Sequence, residues 1–224
     1  MPTFAQKVIS YTQSFRPDWD LPEGFELLFP YSNDRTMRAV TAFYTKFFSD
    51  TQERTFLFGI NPGRFGAGIT GVAFTDPYFL ENTCGIANDF DKKKELSSIF
   101  INDVVTAFGG PKAFYAKFYI TAVSQLGFVK DGKNINYYDD KKLLEAVRPH
   151  IIQNIQSQIQ FGANRKTAFS IGKGTNYKFL NQLNKTHRFF DEIKPLPHPR
   201  WVLQYRRKTK DIFVDEYLRM LDGV

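Results

Sequence analysis

Hydrophobic positions change their period several times along this chain. Phe4, Val8, Tyr11 and Phe15 recur at near-helical spacing and predict an amphipathic helix at the start. Residues 16–34, "RPDWDLPEGFELLFPYSND", are interrupted by Pro17, Pro22 and Pro30 and read as an irregular connector. Ser32, Asn33 or Asp34 can cap the next helix, whose stripe is Met37, Val40, Tyr44 and Phe47. "TFLFGI", 55–60, is nearly all apolar, as a buried parallel strand would be. Leu96, Phe100 and Val104 share one face of a helix over Glu95 to Phe108. "FYITAVSQLGF", 118–128, is a second strand, and "KDGKNINYYDD", 130–140, a polar loop. Leu144, Val147, Ile151 and Ile155 form a further helical stripe, which Pro149 must kink or split into two helices. "TAFSIG", 167–172, is a third strand, followed by a helix from Thr175 to Leu183. "FFDEIKPLPHP", 189–199, holds a fourth short strand, and Phe213, Tyr217, Met220 and Leu221 share one side of a closing helix. Strands that alternate with helices predict an α/β protein. The expected form is a three-layer α/β/α sandwich with a short, mainly parallel four-stranded sheet, one domain over residues 1–224.

Composition narrows the chemistry. The single cysteine, Cys84, leaves no internal disulfide and no cysteine-built zinc or iron–sulfur site within this chain. The start, "MPTFAQKVISYTQSF", has no apolar h-region, and no apolar run approaches the ~20 residues of a membrane span, so a cytoplasmic protein is expected. Thirty lysines and arginines against 23 acids give a formal charge of +7, which favours a polyanionic partner such as nucleic acid.

Residues 66–71, "GAGITG", spell G-x-G-x-x-G, the wording of a dinucleotide-binding loop. That loop needs its first glycine at the tight turn directly after a strand, and an acid about 20 residues on at a second strand's end. Gly66 arrives only after "NPGRF", and the acids near the required distance lie in "ANDFDKKK", which is no strand. The stronger signal is "GINPG", 59–63, at the carboxyl end of the first strand, where open α/β sheets place ligands. Pro62 stiffens the turn, Gly59 and Gly63 permit close backbone approach, and Asn61 becomes a polar side chain at the mouth of the sheet. An Asx-type turn, with Asn61 bonded to its own backbone, is the plainer alternative.

The longer string "GINPGRFGAGITGVAF", 59–74, resembles motif one of the uracil-DNA glycosylase superfamily over about sixteen contiguous positions. "GINPG" resembles its mismatch-specific branch. Phe65, Gly66, Thr70, Gly71, Val72 and Phe74 resemble its single-strand-selective monofunctional branch. The superfamily's second motif is a His-Pro turn near the carboxyl terminus, which "PLPHPRW", 195–201, resembles. The resemblance implies a monomeric, monofunctional enzyme that acts on DNA without metal or cofactor. It would flip a damaged base and hydrolyse its glycosidic bond. It gives His198 the stabilisation of the leaving base and Asn61 the orientation of the water. Phe74 would stack on the extruded base in a pocket built with Gly59, Ile60, Gly63 and Phe65. Arg200 and Trp201 stand where the family inserts a wedge into DNA, and Arg206, Arg207 and Lys208 are candidates for phosphate contact.

Two departures bear on substrate. The monofunctional branch reads uracil with an asparagine at the end of the second strand, where this chain has Ala122 or Ser124, depending on register. "HPRW" also lacks the serine and second proline of the family's "HPSPR". The base could be uracil, an oxidised uracil or a deaminated purine, with Asn134 and Asn136 as alternative sources of amides. The rival readings are a non-catalytic nucleic-acid-binding module on the same fold and a nucleotide-binding protein using "GAGITG".

Overall fold

A computed structural model describes the whole chain, residues 1–224. Helix α1 (Phe4–Ser14) starts at a capping box in which Thr3 and Gln6 bond each other's backbone amides. Strand β1 (Phe25–Leu28) follows, then α2 (Asp34–Phe47), which Asn33 caps through its side chain. The chain continues through β2 (Thr55–Gly59), a single helical turn α3 (Ala67–Thr70), α4 (Pro77–Asn82), α5 (Leu96–Ala107) and α6 (Pro111–Lys117). Strands β3 (Phe118–Ala122), β4 (Gly127–Lys130) and β5 (Lys133–Ile135) precede α7 (Lys141–Ile159). The last elements are β6 (Thr167–Ile171), α8 (Thr175–His187), β7 (Glu192–Leu196), α9 (Pro199–Tyr205) and α10 (Lys210–Asp222).

The predicted four-stranded sheet is present and all-parallel, in the order β3-β2-β6-β7. β2 and β6 are buried throughout, which explains their unbroken apolar runs. Helices cover both faces, and 48 buried apolar residues form one continuous core. The chain leaves β2 for β3 on one side and later returns to β6 on the other. Such a reversal opens a crevice at the carboxyl ends of the strands. Gly59 pairs with Ala122 and Ile171 with Leu196, so the GINPG turn, the end of β3 and the His-Pro turn emerge together there.

Three expectations need correction. The connector and the polar loop contain a second, antiparallel sheet in the order β1-β4-β5. Its hairpin turns through Asp131 and Gly132, both left-handed at φ +50° and +68°, as an Asp-Gly type I′ turn requires. Residues 118–128 are consequently two strands in two sheets rather than one. Pro149 does not divide its helix in two: α7 runs unbroken for 19 residues. Pro149 and Glu145, whose carbonyl loses its donor, both face water, so the missing bond exposes no buried group. Leu143, Val147, Ile151 and Ile155 hold the other face in the core.

The second sheet supports the site. Gly127 of β4 lies against the Pro62 carbonyl so closely that no Cβ fits between them. β4 therefore backs the GINPG turn from outside the main sheet.

Candidate active site

Asn61 projects from the turn after β2, and its amide is engaged on both ends. Oδ1 accepts the Tyr137 backbone N–H at 3.1 Å, and Nδ2 donates to the Ile135 and Pro62 carbonyls at 3.3 Å. The Tyr137 hydroxyl donates to Asn176 Oδ1 at 2.8 Å. Asn176, at the start of α8, in turn donates to the Gly59 carbonyl at 3.3 Å and to Ser170 Oγ at 3.2 Å. A buried polar chain thus ties Asn61 to the ends of β2 and β6. The amide keeps an oxygen lone pair for a further donor.

The segment after the turn is consumed in packing rather than opened as a phosphate cradle. Gly71 is left-handed at φ +71°, and a Cβ there would lie 2.5 Å from Val40 on α2. Thr70 Oγ donates to the Thr75 carbonyl at 2.6 Å and accepts the Val72 N–H at 3.2 Å, which closes a tight loop. This loop presents Phe74 at φ +52°, a conformation that costs a bulky residue about 1–3 kcal/mol. Its ring reaches the end of β2: a Cβ on Gly59 would fall 2.7 Å from Phe74 Cε2. Strain and glycine together place the Phe74 ring at the mouth of the sheet.

His198 caps α9. Its Nδ1 accepts the Arg200 N–H at 3.2 Å, which leaves the proton on Nε2. Burial and the Arg200 charge lower its pKa from 6.5 to about 4, so the ring is a neutral N–H donor at physiological pH. α10 steadies the turn, because the buried Tyr217 hydroxyl donates to the Pro197 carbonyl at 2.5 Å.

These parts line one cavity of about 230 Å³. Asn61, His198, Phe74, Gly59, Ile60, Gly63, Ala122 and Arg200 all contribute to its wall. Ala122 is therefore the residue at the end of β3 that faces it. Ser124 does not: it is fully buried, its amide bonds the Ile60 carbonyl, and its hydroxyl donates to Leu126 at 2.8 Å. Phe65 is also absent from the wall; it is 53% exposed and lies beneath the Arg64 guanidinium. Trp201 lines a second cavity of about 520 Å³, which shares His198 and Ile60 with the first. Arg206 sits 5.2 Å above the Trp201 ring, while Arg207 and Lys208 are exposed on the turn between α9 and α10.

Against this geometry, residues 45–222 match the family model of the uracil DNA glycosylase superfamily. The chain belongs to that superfamily. Its structure is similar to a crystal structure of wild-type SMUG2 from Pedobacter heparinus, with a TM-score of 0.97 and 41% sequence identity. The likeness covers 100% of this chain and 98% of that one. No curated protein matches the chain. Superfamily membership agrees with both motifs and with the α/β/α order of the elements. It does not by itself point to Glu95, Thr121, Tyr137 or Asn176. These residues complete the cavity wall or hold Asn61, and neither a spacing nor a repeat in the sequence marks them.

Proposed function

We propose that the protein is a monofunctional DNA glycosylase that draws a damaged base, uracil or another deaminated or oxidised base, out of DNA and hydrolyses its N-glycosidic bond. The observation that carries this reading is that His198, a neutral donor whose Nδ1 is already occupied, lines the same small cavity as Asn61 and Phe74. In the reaction the C1′–N bond breaks, its electron pair stays on the base, and a water oxygen bonds to C1′. The water loses its proton to solvent, and the base takes one up and leaves neutral. His198 donates a hydrogen bond to the base oxygen on which negative charge collects, in a buried site where such a bond is strong. A neutral donor needs no proton transfer to do this. Asn61 accepts a hydrogen from the attacking water through its remaining Oδ1 lone pair; an amide orients water and does not deprotonate it. Phe74 supplies the stacking surface that replaces the base's neighbours in the duplex.

The test is single-turnover cleavage of oligonucleotides that contain uracil, hypoxanthine or xanthine. The parent should cut at least one. Asn61→Ala and His198→Ala should each slow the reaction by ~10²–10³ while remaining folded by circular dichroism. Unchanged rates in both variants would overturn the mechanism. Binding to the same DNA with no cleavage by the parent would favour the non-catalytic module instead.

A further inference from the structure

The cavity lacks a reading amide at Ala122, yet it does not lack polar groups. Two of them meet at Gly63: a Cβ built there would lie 3.6 Å from Glu95 Oε1 and 3.3 Å from Asn134 Nδ2. Glu95 stands at the N-cap position of α5, where its side chain makes no capping bond, and lines the cavity, while Asn134 arrives from β5 of the second sheet. The other carboxylate oxygen, Oε2, covers Gly66 and leaves no space for a side chain there. The backbone N–H of Glu95 is held by Asp76 Oδ2 at 2.8 Å, which anchors the residue at the cavity wall.

We propose that Glu95 and Asn134 read the edge of the extruded base, Glu95 accepting from its ring N–H and Asn134 donating to the adjoining carbonyl. This assignment rests on the glycosylase reading above and adds the source of base selectivity. An acceptor beside a donor complements an N–H beside a C=O. Deamination creates that edge. Cytosine and adenine present a bare ring nitrogen beside an amino group, whereas uracil and hypoxanthine present N–H beside a carbonyl. A carboxylate opposite a bare ring nitrogen sets two acceptors against each other, so the parent bases are disfavoured. Xanthine and guanine both carry the N–H, and Glu95 does not separate them.

The charge balance around Glu95 fits this use. Burial raises its carboxyl pKa first, the Arg200 charge opposes the rise, and Asp76 adds to it. No protein side chain within 4 Å forms an ion pair with it: Arg200 lines the same wall without closing to contact. A half-buried carboxylate with few protein donors is stabilised by whatever N–H the ligand brings.

The experiment is a two-by-two cycle. The parent and Glu95→Gln are each assayed in single turnover on DNA carrying 2′-deoxyuridine or its 3-deaza analogue, in which C–H replaces the ring N–H and the 4-oxygen carries a hydroxyl, a second change common to both proteins. Losing the N–H should slow the parent about 5- to 10-fold more than it slows Glu95→Gln, whose amide oxygen accepts the N–H without the charge. Asn134→Ala, on an exposed strand that tolerates it, should slow 2′-deoxyuridine excision in the parent background. All three proteins should bind a tetrahydrofuran abasic duplex with affinities within about twofold, since that DNA has no base to read; a folding defect would lower this affinity too. Equal penalties for losing the N–H in parent and Glu95→Gln would overturn the assignment while leaving the glycosylase reading intact. No uracil excision by a parent that cuts hypoxanthine or xanthine would overturn the assignment alone, and no excision of any of the three would overturn both.

Discussion

His198 is kept neutral by three local facts that act in the same direction. The ring is largely withdrawn from water, the Arg200 charge lies close, and Nδ1 is already occupied as an acceptor for the Arg200 N–H. A second proton would have to break that last bond. The folded pKa of about 4 lies below the ordinary 6.5, so the unfolded chain binds the proton first as pH falls. Stability from this group is complete above about pH 6.5, declines toward pH 4, and changes no further below that. His198→Gln cannot take up the proton, so its melting temperature should fall less between pH 7 and pH 4 than the parent's. A ring titration followed by NMR should give a pKa near 4; a value near 6.5 would place the ring in water and remove its strength as a buried donor. At this scale the sequence was legible where chemistry comes with wording: Asn61, Phe74 and His198 stand in motifs. Glu95 precedes an ordinary apolar stripe, and Asn176 is one polar residue at a helix start. Their meaning lies in partners far along the chain. The choice between Ala122 and Ser124 depended on strand register, which only the pairing of Gly59 with Ala122 settles.

At the scale of elements, the polar chain from Asn61 through Tyr137 to Asn176 fastens the minor sheet's loop to the major sheet. Asn176→Ala leaves the buried Tyr137 hydroxyl without its acceptor. That should cost about 1–3 kcal/mol in denaturant unfolding. It should also lower the excision rate, because the Tyr137 backbone that holds Asn61 is no longer anchored. Tyr137→Phe removes both the hydroxyl and its need for a partner, so it should be milder than Asn176→Ala in stability. If Asn176→Ala lost stability but excised at the parent rate, the chain would serve the core alone. The long, periodic elements of the major sheet and its helices were readable, since one face or both faces are buried over several turns or residues. The minor sheet was not. Its strands are three to four residues long, and β5 is largely exposed, so they carry no alternation. The Asp131–Gly132 pair was a hairpin signal in plain view, obscured by its polar surroundings. Pro149 is a strong local signal of the opposite kind: it suggests a second helix, but on the solvent side of α7 the surrounding stripe carries one helix through it.

At the scale of the molecule, the question is where the +7 charge meets DNA. Arg206, Arg207 and Lys208 lie exposed just beyond α9, whose first turn carries His198 as its cap and Arg200 on the cavity wall. Phosphate is the expected contact, because most protein–DNA hydrogen bonds from exposed lysines and arginines go to the backbone. Each phosphate contact contributes roughly 0.7 to 0.9 to the slope of log affinity against log salt. Arg207→Ala with Lys208→Ala should flatten that slope by roughly 1.4 to 1.8, equally for damaged and undamaged DNA. Arg206 already rests on the Trp201 ring. Its removal should flatten the slope further only if the guanidinium leaves that ring for a phosphate. Excision from saturated substrate should stay near the parent rate in all three, because none of them lines the cavity that holds His198 and Asn61. Arg200→Ala should behave otherwise. It sits on the cavity wall, so a wedge role predicts that single-turnover excision from duplex falls more than excision from single strands, where no helix has to be held open. An unchanged salt slope in the Arg207, Lys208 double variant would move the DNA path away from this turn, and a loss of equal size on both strand types would deny Arg200 the wedge.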